Sequence, residues 1–481
     1  MEVHLTCKDY IFDIRSPFVF NNPMSILLLY LQFLIQLSFE SMRYSHIVCA
    51  LTLFICSSCL DVIQEFDGPA PGTWRGILQL DPDFVTNNKK GEPLPEKLNI
   101  KFDDINTTQL PFNFDVIYKD AETIHLKIHN GSEEILVDEI IIGRDKKTAK
   151  DTILINFPIY DSSIKAIYQG NIMQGDWIIH SKNDYRIPFK AYYGKGHRFT
   201  VNNKKPATDI SGNWRVKFTD SSDAYAGIGE FKQDGNHLIG TFRTETGDYR
   251  FLEGTIQDKK MYLSCFDGSH AFLFEGKLNE DNTELSGAFR SGKHYTAYWQ
   301  ATKDDTYTLK DPNTLTYLKD GYNYVDFSFK DTDGNMISLA SKRYKDRPKV
   351  IQIFGTWCPN CRDETNFLIN YINENPNPGF DIIALGFEKY RDEERSMKAL
   401  KTYKEKFKLP YPLLHAGYYD KEEAAKALPM LNAIISYPTM IFLDKDNKVQ
   451  KIHTGFNGPA TSEYAAFKKE FASNIQNLLI E

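Results

Sequence analysis

Val350-Ile351-Gln352-Ile353-Phe354-Gly355-Thr356-Trp357-Cys358-Pro359-Asn360-Cys361 decides how the last third of this 481-residue chain folds. Its first five residues read as a buried central strand, and the residues after Cys361 read as a helix with Phe367, Leu368, Tyr371 and Ile372 on one side. Asn375-Pro376 stops that helix. Strand therefore runs directly into helix, which sets Cys358 at a helix N-terminus, where unpaired backbone N–H groups and the positive dipole end favour thiolate over thiol. Pro359 suits the first turn, where a missing N–H is harmless. Two intervening residues let an exposed Cys358 thiolate attack a disulfide while Cys361, deeper on the helix, resolves the mixed disulfide. Cys358 is thus the candidate nucleophile and Cys361 the resolving thiol.

Around this stretch the pattern is α/β with a mixed sheet. Val325 to Phe329 and the turn Asp331 to Asn335 precede it; Asp381 to Phe387 reads as a second buried parallel strand. A helix is expected between Arg391 and Phe407, with Met397, Leu400 and Tyr403 inward, and another from Lys421 to Leu431. Strands at Met440 to Leu443 and Val449 to His453 flank the turn Asp444 to Asn447, and Tyr464, Phe467, Phe471, Ile475 and Leu478 mark a closing helix. His415 and His453 have no partner at metal-ligand spacing and read as surface or strand histidines, so no metal is expected.

From about Leu318 onward the sequence resembles the TlpA/ResA-like branch of the thioredoxin superfamily, also grouped with redoxin or AhpC/TSA domains. The residues carrying the resemblance are Trp357-Cys358-Pro359-Asn360-Cys361, Tyr437-Pro438-Thr439 and Gly386-Phe387-Glu388. It implies a thioredoxin-like fold, a cis peptide at Pro438 packed against the cysteines, and a substrate groove shaped by Trp357, Pro359, Tyr437, Pro438 and Thr439. Tyr437 is bulkier than the residue often found there. The resemblance also implies that Glu388 relays a proton from the resolving thiol. It further implies a reductase direction, no cofactor beyond a Cys358–Cys361 disulfide, protein thiols and disulfides of the cell envelope as partners, and an upstream electron donor.

The middle of the chain reads differently. From Pro69 to Asp305 short apolar strands alternate with turn signals such as Gln233-Asp234-Gly235-Asn236 and Phe266-Asp267-Gly268. Gly229 to Ala301 reads as a meander of about six strands. A repeat is visible: Gly72-Thr73-Trp74-Arg75 returns as Gly212-Asn213-Trp214-Arg215, and Tyr160-Asp161-Ser162-Ser163 returns as Phe266-Asp267-Gly268-Ser269. Two related antiparallel modules, barrel or sandwich, are expected over 59–205 and 206–305, the first with an extra loop near 81–97. Residues 306–320 then form a linker to a domain over 321–481. The repeated aromatics read as core. Cys265 shares a strand face with Met261 and Leu263 and reads as buried and inert.

Residues 1–58 read as a leader. Met42-Arg43-Tyr44-Ser45-His46 followed by an apolar run resembles a signal peptide, in which case residues 1–41 are a mis-assigned start. Cys56-Ser57-Ser58-Cys59 resembles a bacterial lipobox, with Cys56 where Leu is usual, and makes Cys59 the candidate for lipidation. An ordinary cleaved signal or an uncleaved anchor are the alternatives. Export to the periplasm, with a lipid anchor in a bacterial membrane, is the expectation. Cys56-x-x-Cys59 and Cys358-x-x-Cys361 together have the ligand count of a zinc site, but a leader is removed before such a site forms. With 57 Lys+Arg against 64 Asp+Glu and no long basic block, nucleic acid is not expected as a partner.

Two rivals to thiol-disulfide exchange stand beside it. A thiol peroxidase shares the fold, though such enzymes usually show Thr-x-x-Cys with a distant resolving cysteine. A ligand-binding β module with an accessory redox domain is the other.

Overall fold

The computed structural model describes residues 68–80, 105–120, 123–220 and 223–480; the leader, Cys59 and the 81–97 stretch lie outside the described residues. Gly72 and Gly212 open the two β modules with the same backbone, φ +106°, a conformation that a side chain rarely adopts. Two residues on, Trp74 and Trp214 are each buried, and each indole N–H donates to the carbonyl four residues back, Ala70 at 2.8 Å and Ile210 at 2.9 Å. The repeated tetrapeptide thus starts the same first strand twice.

The first module contains β1 (Gly72–Gln79), β2 (Gln109–Tyr118), β3 (Ile124–Asn130), β4 (Glu133–Val137), β5 (Ile140–Arg144), β6 (Asp151–Phe157), β7 (Ser162–Gln169), β8 (Ile172–Ile179) and β9 (Arg186–Tyr193). They form one sheet in the order β4-β3-β2-β1-β9-β8-β7-β6-β5. The second contains β10 (Gly212–Thr219), β11 (Ala224–Asp234), β12 (His237–Thr244), β13 (Gly247–Asp248), β14 (Leu252–Gln257), β15 (Lys260–Phe266), β16 (Ala271–Leu278), β17 (Glu284–Ser291) and β18 (Tyr295–Lys303). Its meander has the same order, but β12 pairs with both β11 and β14 and closes the ring into a barrel. The first module, expected to close, stays an open sheet with β4 and β5 at its edges.

The open sheet closes its core on the barrel wall. Along β15, Met261, Leu263 and Cys265 face the barrel interior, while Tyr262 and Phe266 belong to the core of the first module. Phe266 lies 4.5 Å from Phe112 and 5.2 Å from Trp177 between ring centroids. A strand buried on both faces loses the polar alternation of a surface strand, which is how β15 reads. Inside the barrel, Phe242, Phe274 and Phe289 stack at 4.4 and 4.3 Å, so aromatic rings fill the interior.

The C-terminal domain contains β19 (Ser328–Asp331), β20 (Met336–Ser338), β21 (Lys349–Phe354), α1 (Pro359–Glu374), β22 (Asp381–Glu388), α2 (Glu393–Phe407), β23 (Leu413–Tyr418), α3 (Lys421–Ala427), β24 (Thr439–Leu443), β25 (Val449–Thr454) and α4 (Tyr464–Ile480). The sheet order is β20-β19-β23-β22-β21-β24-β25, with β21, β22 and β23 parallel and the other pairs antiparallel. Asp392 and Asp420 cap α2 and α3 through backbone N–H groups. α3 ends before Leu431, because Leu428 precedes Pro429 and is steered out of the helical region. The domain is a mixed-sheet thioredoxin-like fold behind a large all-β region.

Candidate active site

β21 delivers its chain to the site at Phe354, and α1 begins five residues later, at Pro359. Cys358 is the N-cap of α1, with φ −99° and ψ 112°, and its sulfur accepts the Cys361 N–H at 3.3 Å. The Cys358 Sγ–H in turn points to the Tyr437 carbonyl at 3.4 Å. Pro359 opens the helix. Cys358 is 7% exposed and Cys361 is wholly buried. Burial pushes the Cys361 thiol well above its ordinary range, and the Cys358 sulfur and the Glu364 carboxyl add to the effect.

The loop before β24 forms the opposite wall. Tyr437-Pro438 is a cis peptide, and the Thr439 hydroxyl donates to the Ser436 carbonyl at 2.8 Å. Trp357 donates its indole N–H to the Phe387 carbonyl at 3.0 Å and meets Tyr419 and Tyr437 edge to face. The Lys389 ammonium lies 5.8 Å from the Trp357 ring. Burial, with Lys182 nearby, lowers this lysine to about 8. The structure thus gathers Trp357, Pro359, Tyr437, Pro438 and Thr439 around the cysteines.

Glu388, at the end of β22, is buried and accepts the Thr356 N–H at 3.0 Å and the Thr356 hydroxyl at 2.8 Å. Burial pushes its carboxyl up to about 7 against the pull of those bonds. It holds the turn that precedes Trp357 and Cys358.

A second carboxyl was missed in the sequence. Glu364 is wholly buried one helical turn after Cys361, accepts the Gln352 amide at 3.0 Å, and has no partner for its other oxygen. Burial pushes it up to about 8. A signal was present: Gln352 interrupts an otherwise apolar strand, and a buried amide requires a polar partner.

Two loops of the barrel complete the site. Ser269 donates its hydroxyl to the Trp357 carbonyl at 3.2 Å, and the Asn360 amide donates to the Asp248 carbonyl at 3.0 Å. Arg250, 1% exposed, pairs with Glu133 of the first module and Asp363 of α1. Burial alone would lower Arg250, but Glu133 and Asp267 hold it above its ordinary value. The partners lie 88 to 117 residues apart, so no local pattern announces these contacts. Among the described residues no three His, Cys, Asp or Glu side chains form a metal-binding group, and His453 instead contacts Asn313 at 3.2 Å.

Residues 319–467 match the Redoxin family. Among curated proteins, the thiol-disulfide oxidoreductases ResA of Bacillus thuringiensis subsp. konkukian and of Bacillus cereus are each 28% identical over 124 residues. Those alignments cover 26% of this chain, and the chain spans 62% of the length of each relative. Among solved structures, a thiol:disulfide interchange protein of the thioredoxin family from Chlorobium tepidum is 20% identical with a TM-score of 0.25. That match covers 33% of this chain and 95% of the other. A secreted thiol-disulfide isomerase from Corynebacterium glutamicum is 18% identical with a TM-score of 0.27, covering 37% and 99% of the two chains.

Proposed function

We propose that this chain, whose residues 319–467 form a Redoxin domain, is an exported thiol-disulfide oxidoreductase working through Cys358 and Cys361. One observation carries the reading: the Cys358 sulfur caps α1 within reach of the Cys361 N–H, beside the Tyr437 carbonyl. The Tyr437 carbonyl of the cis-proline loop lies beside that sulfur, where an incoming chain would meet it.

In the reducing direction the Cys358 thiolate attacks one sulfur of a substrate disulfide, forming a mixed disulfide and releasing the other sulfur as a thiolate. Cys361 then loses its proton and attacks the Cys358 sulfur. The second substrate thiolate leaves, a Cys358–Cys361 disulfide remains, and two electrons have passed to the substrate. Glu388, raised to about 7 and bracing the Thr356 turn beside Cys358, is the carboxyl suited to take that proton. No cofactor is required beyond the cysteine pair. An upstream donor returns the dithiol.

Protein disulfides of the cell envelope are the substrates this reading favours, with the chain exported by its leader and held to the membrane through a lipid on Cys59. The test is a Cys361→Ser variant under oxidising conditions. Mixed disulfides on Cys358 are expected to accumulate and to be identifiable by mass spectrometry; a variant that forms none would falsify the reading.

A further inference from the structure

The barrel segment Thr246–Arg250 fills a channel between Asn360 of the cysteine loop and Ser436 of the cis-proline loop. The Ser436 hydroxyl, two residues before Pro438, donates to the Thr246 carbonyl at 2.7 Å. The Asn360 amide, between the two cysteines, donates to the Asp248 carbonyl at 3.0 Å. The Gly458 N–H, on the loop after β25, donates to the Asp248 carboxylate at 2.7 Å. Two residues on, the Arg250 guanidinium pairs with Asp363 and reaches the Pro359 carbonyl at 3.5 Å. Gly247, at φ +139°, passes so close that a Cβ there would lie 2.7 Å from the Asn360 amide. Arg250 itself adopts φ +65°, a conformation that a side-chain-bearing residue keeps only when its surroundings impose it.

These contacts are those of a bound peptide. Two alternate carbonyls, those of Thr246 and Asp248, accept from side chains of the active-site loops, an acidic side chain meets a backbone N–H, and a cation two positions later meets a carboxylate. Cys358 is 7% exposed, while disulfide exchange needs a sulfur to approach it in line. A substrate chain reaching Cys358 along this channel therefore displaces the segment, and unless it offers equivalent groups it leaves the Gly458 N–H without its acceptor and Asp363 with Arg362 alone.

We infer that this channel accepts an extended peptide disulfide with an acidic residue followed two positions later by a basic one, in competition with the chain's own Thr246–Arg250. The inference rests on the exchange activity proposed above and names the substrate that activity takes. The charge order matters more than the net charge, because the Gly458 N–H and Asp363 are fixed at separate points of the channel.

The experiment compares two symmetrical peptide disulfides with the reduced full chain carrying Cys361→Ser. One peptide is Cys-Thr-Gly-Asp-Tyr-Arg; the other exchanges the charges, Cys-Thr-Gly-Arg-Tyr-Asp, at identical composition. The Cys358 thiolate attacks either sulfur, one peptide remains in a mixed disulfide, and one leaves as a free thiol. The first peptide is expected to react roughly tenfold faster, the discrimination that correctly placed charge-assisted bonds give. Hydrogen exchange on the trapped adduct is expected to show protection lost at 245–250. Equal rates for the two peptides, or a segment that stays protected in the adduct, overturn the channel reading while leaving the exchange activity intact. If neither peptide nor a small reagent such as dithiobis-nitrobenzoate reacts with Cys358, both readings fall.

Discussion

Glu364 and Glu388 are two carboxyls buried behind one dithiol, and water is replaced around each by protein. Both are held mainly protonated through the acid range, since burial penalises the charged form, and they are raised to about 8 and about 7. For a carboxyl raised on folding, the protonated form favours the native state. Its stabilisation is complete below the unfolded value of about 4.5 and is lost as the pH rises through the folded value. Wild-type protein is therefore expected to lose stability between about pH 4.5 and 8. Glu364→Gln, uncharged throughout, is expected to lose less, by the order of a few kcal/mol at pH 8. Urea midpoints measured at pH 5 and pH 8 for both proteins check this; parallel slopes would remove Glu364 as a titrating group. Glu388 came into view through a family resemblance around Gly386-Phe387, whereas Glu364 was hidden because a helix glutamate in sequence looks solvated. Only the depth of α1 against β21 shows that it is not.

At the scale of elements, β15 serves two cores at once. Its alternation places Met261, Leu263 and Cys265 in one core and Tyr262 and Phe266 in another, so one strand belongs to both β modules. Phe266→Ala is expected to cost about 3–5 kcal/mol, as for other buried aromatics, and to loosen both modules together. Urea unfolding followed separately by Trp177 and Trp299 fluorescence, using single-tryptophan variants, tests the coupling; transitions that separate, with only the first module weakened, would contradict it. Periodicity announced the strand and its inward cysteine. What periodicity could not report is that the opposite face is buried as well, because that depends on a first module that stays open. The same limit applies to α1: its N-terminal cysteine was legible from a strand running into a helix, but not the barrel loops that cover it.

Across the whole molecule, Arg250 joins the first module, the barrel and the redox domain through Glu133, Asp267 and Asp363. Removing the Arg250 guanidinium leaves Arg362 alone to face Glu133 and Asp363, and His270 alone to face Asp267. Arg250→Met is expected to cost about 3–5 kcal/mol and to expose Cys358. Iodoacetamide labelling under native conditions should then modify Cys358 several-fold faster while Cys265, sealed in the barrel with its thiol pushed well above the ordinary range, stays unmodified. A variant that labels Cys358 at the wild-type rate would show that the cover does not depend on this cluster.

The amino-acid order alone determined those features whose causes lie within about one or two turns or strands: the Trp-Cys-Pro-Asn-Cys junction, the alternation of β and α, and the recurrence of the Gly-x-Trp-Arg strand. These are set by local sterics and by which face of a short element is apolar. Tertiary structure alone decided that one β module closes and the other does not, that Glu364 is dry, and that Thr246–Arg250 fills the channel beside Pro438. The dry Glu364 depends on the layer packed over α1, the filled channel on groups 112 and 190 residues apart, and the ring closure on β12 pairing twice, and none of these leaves a mark on the pattern of any single segment.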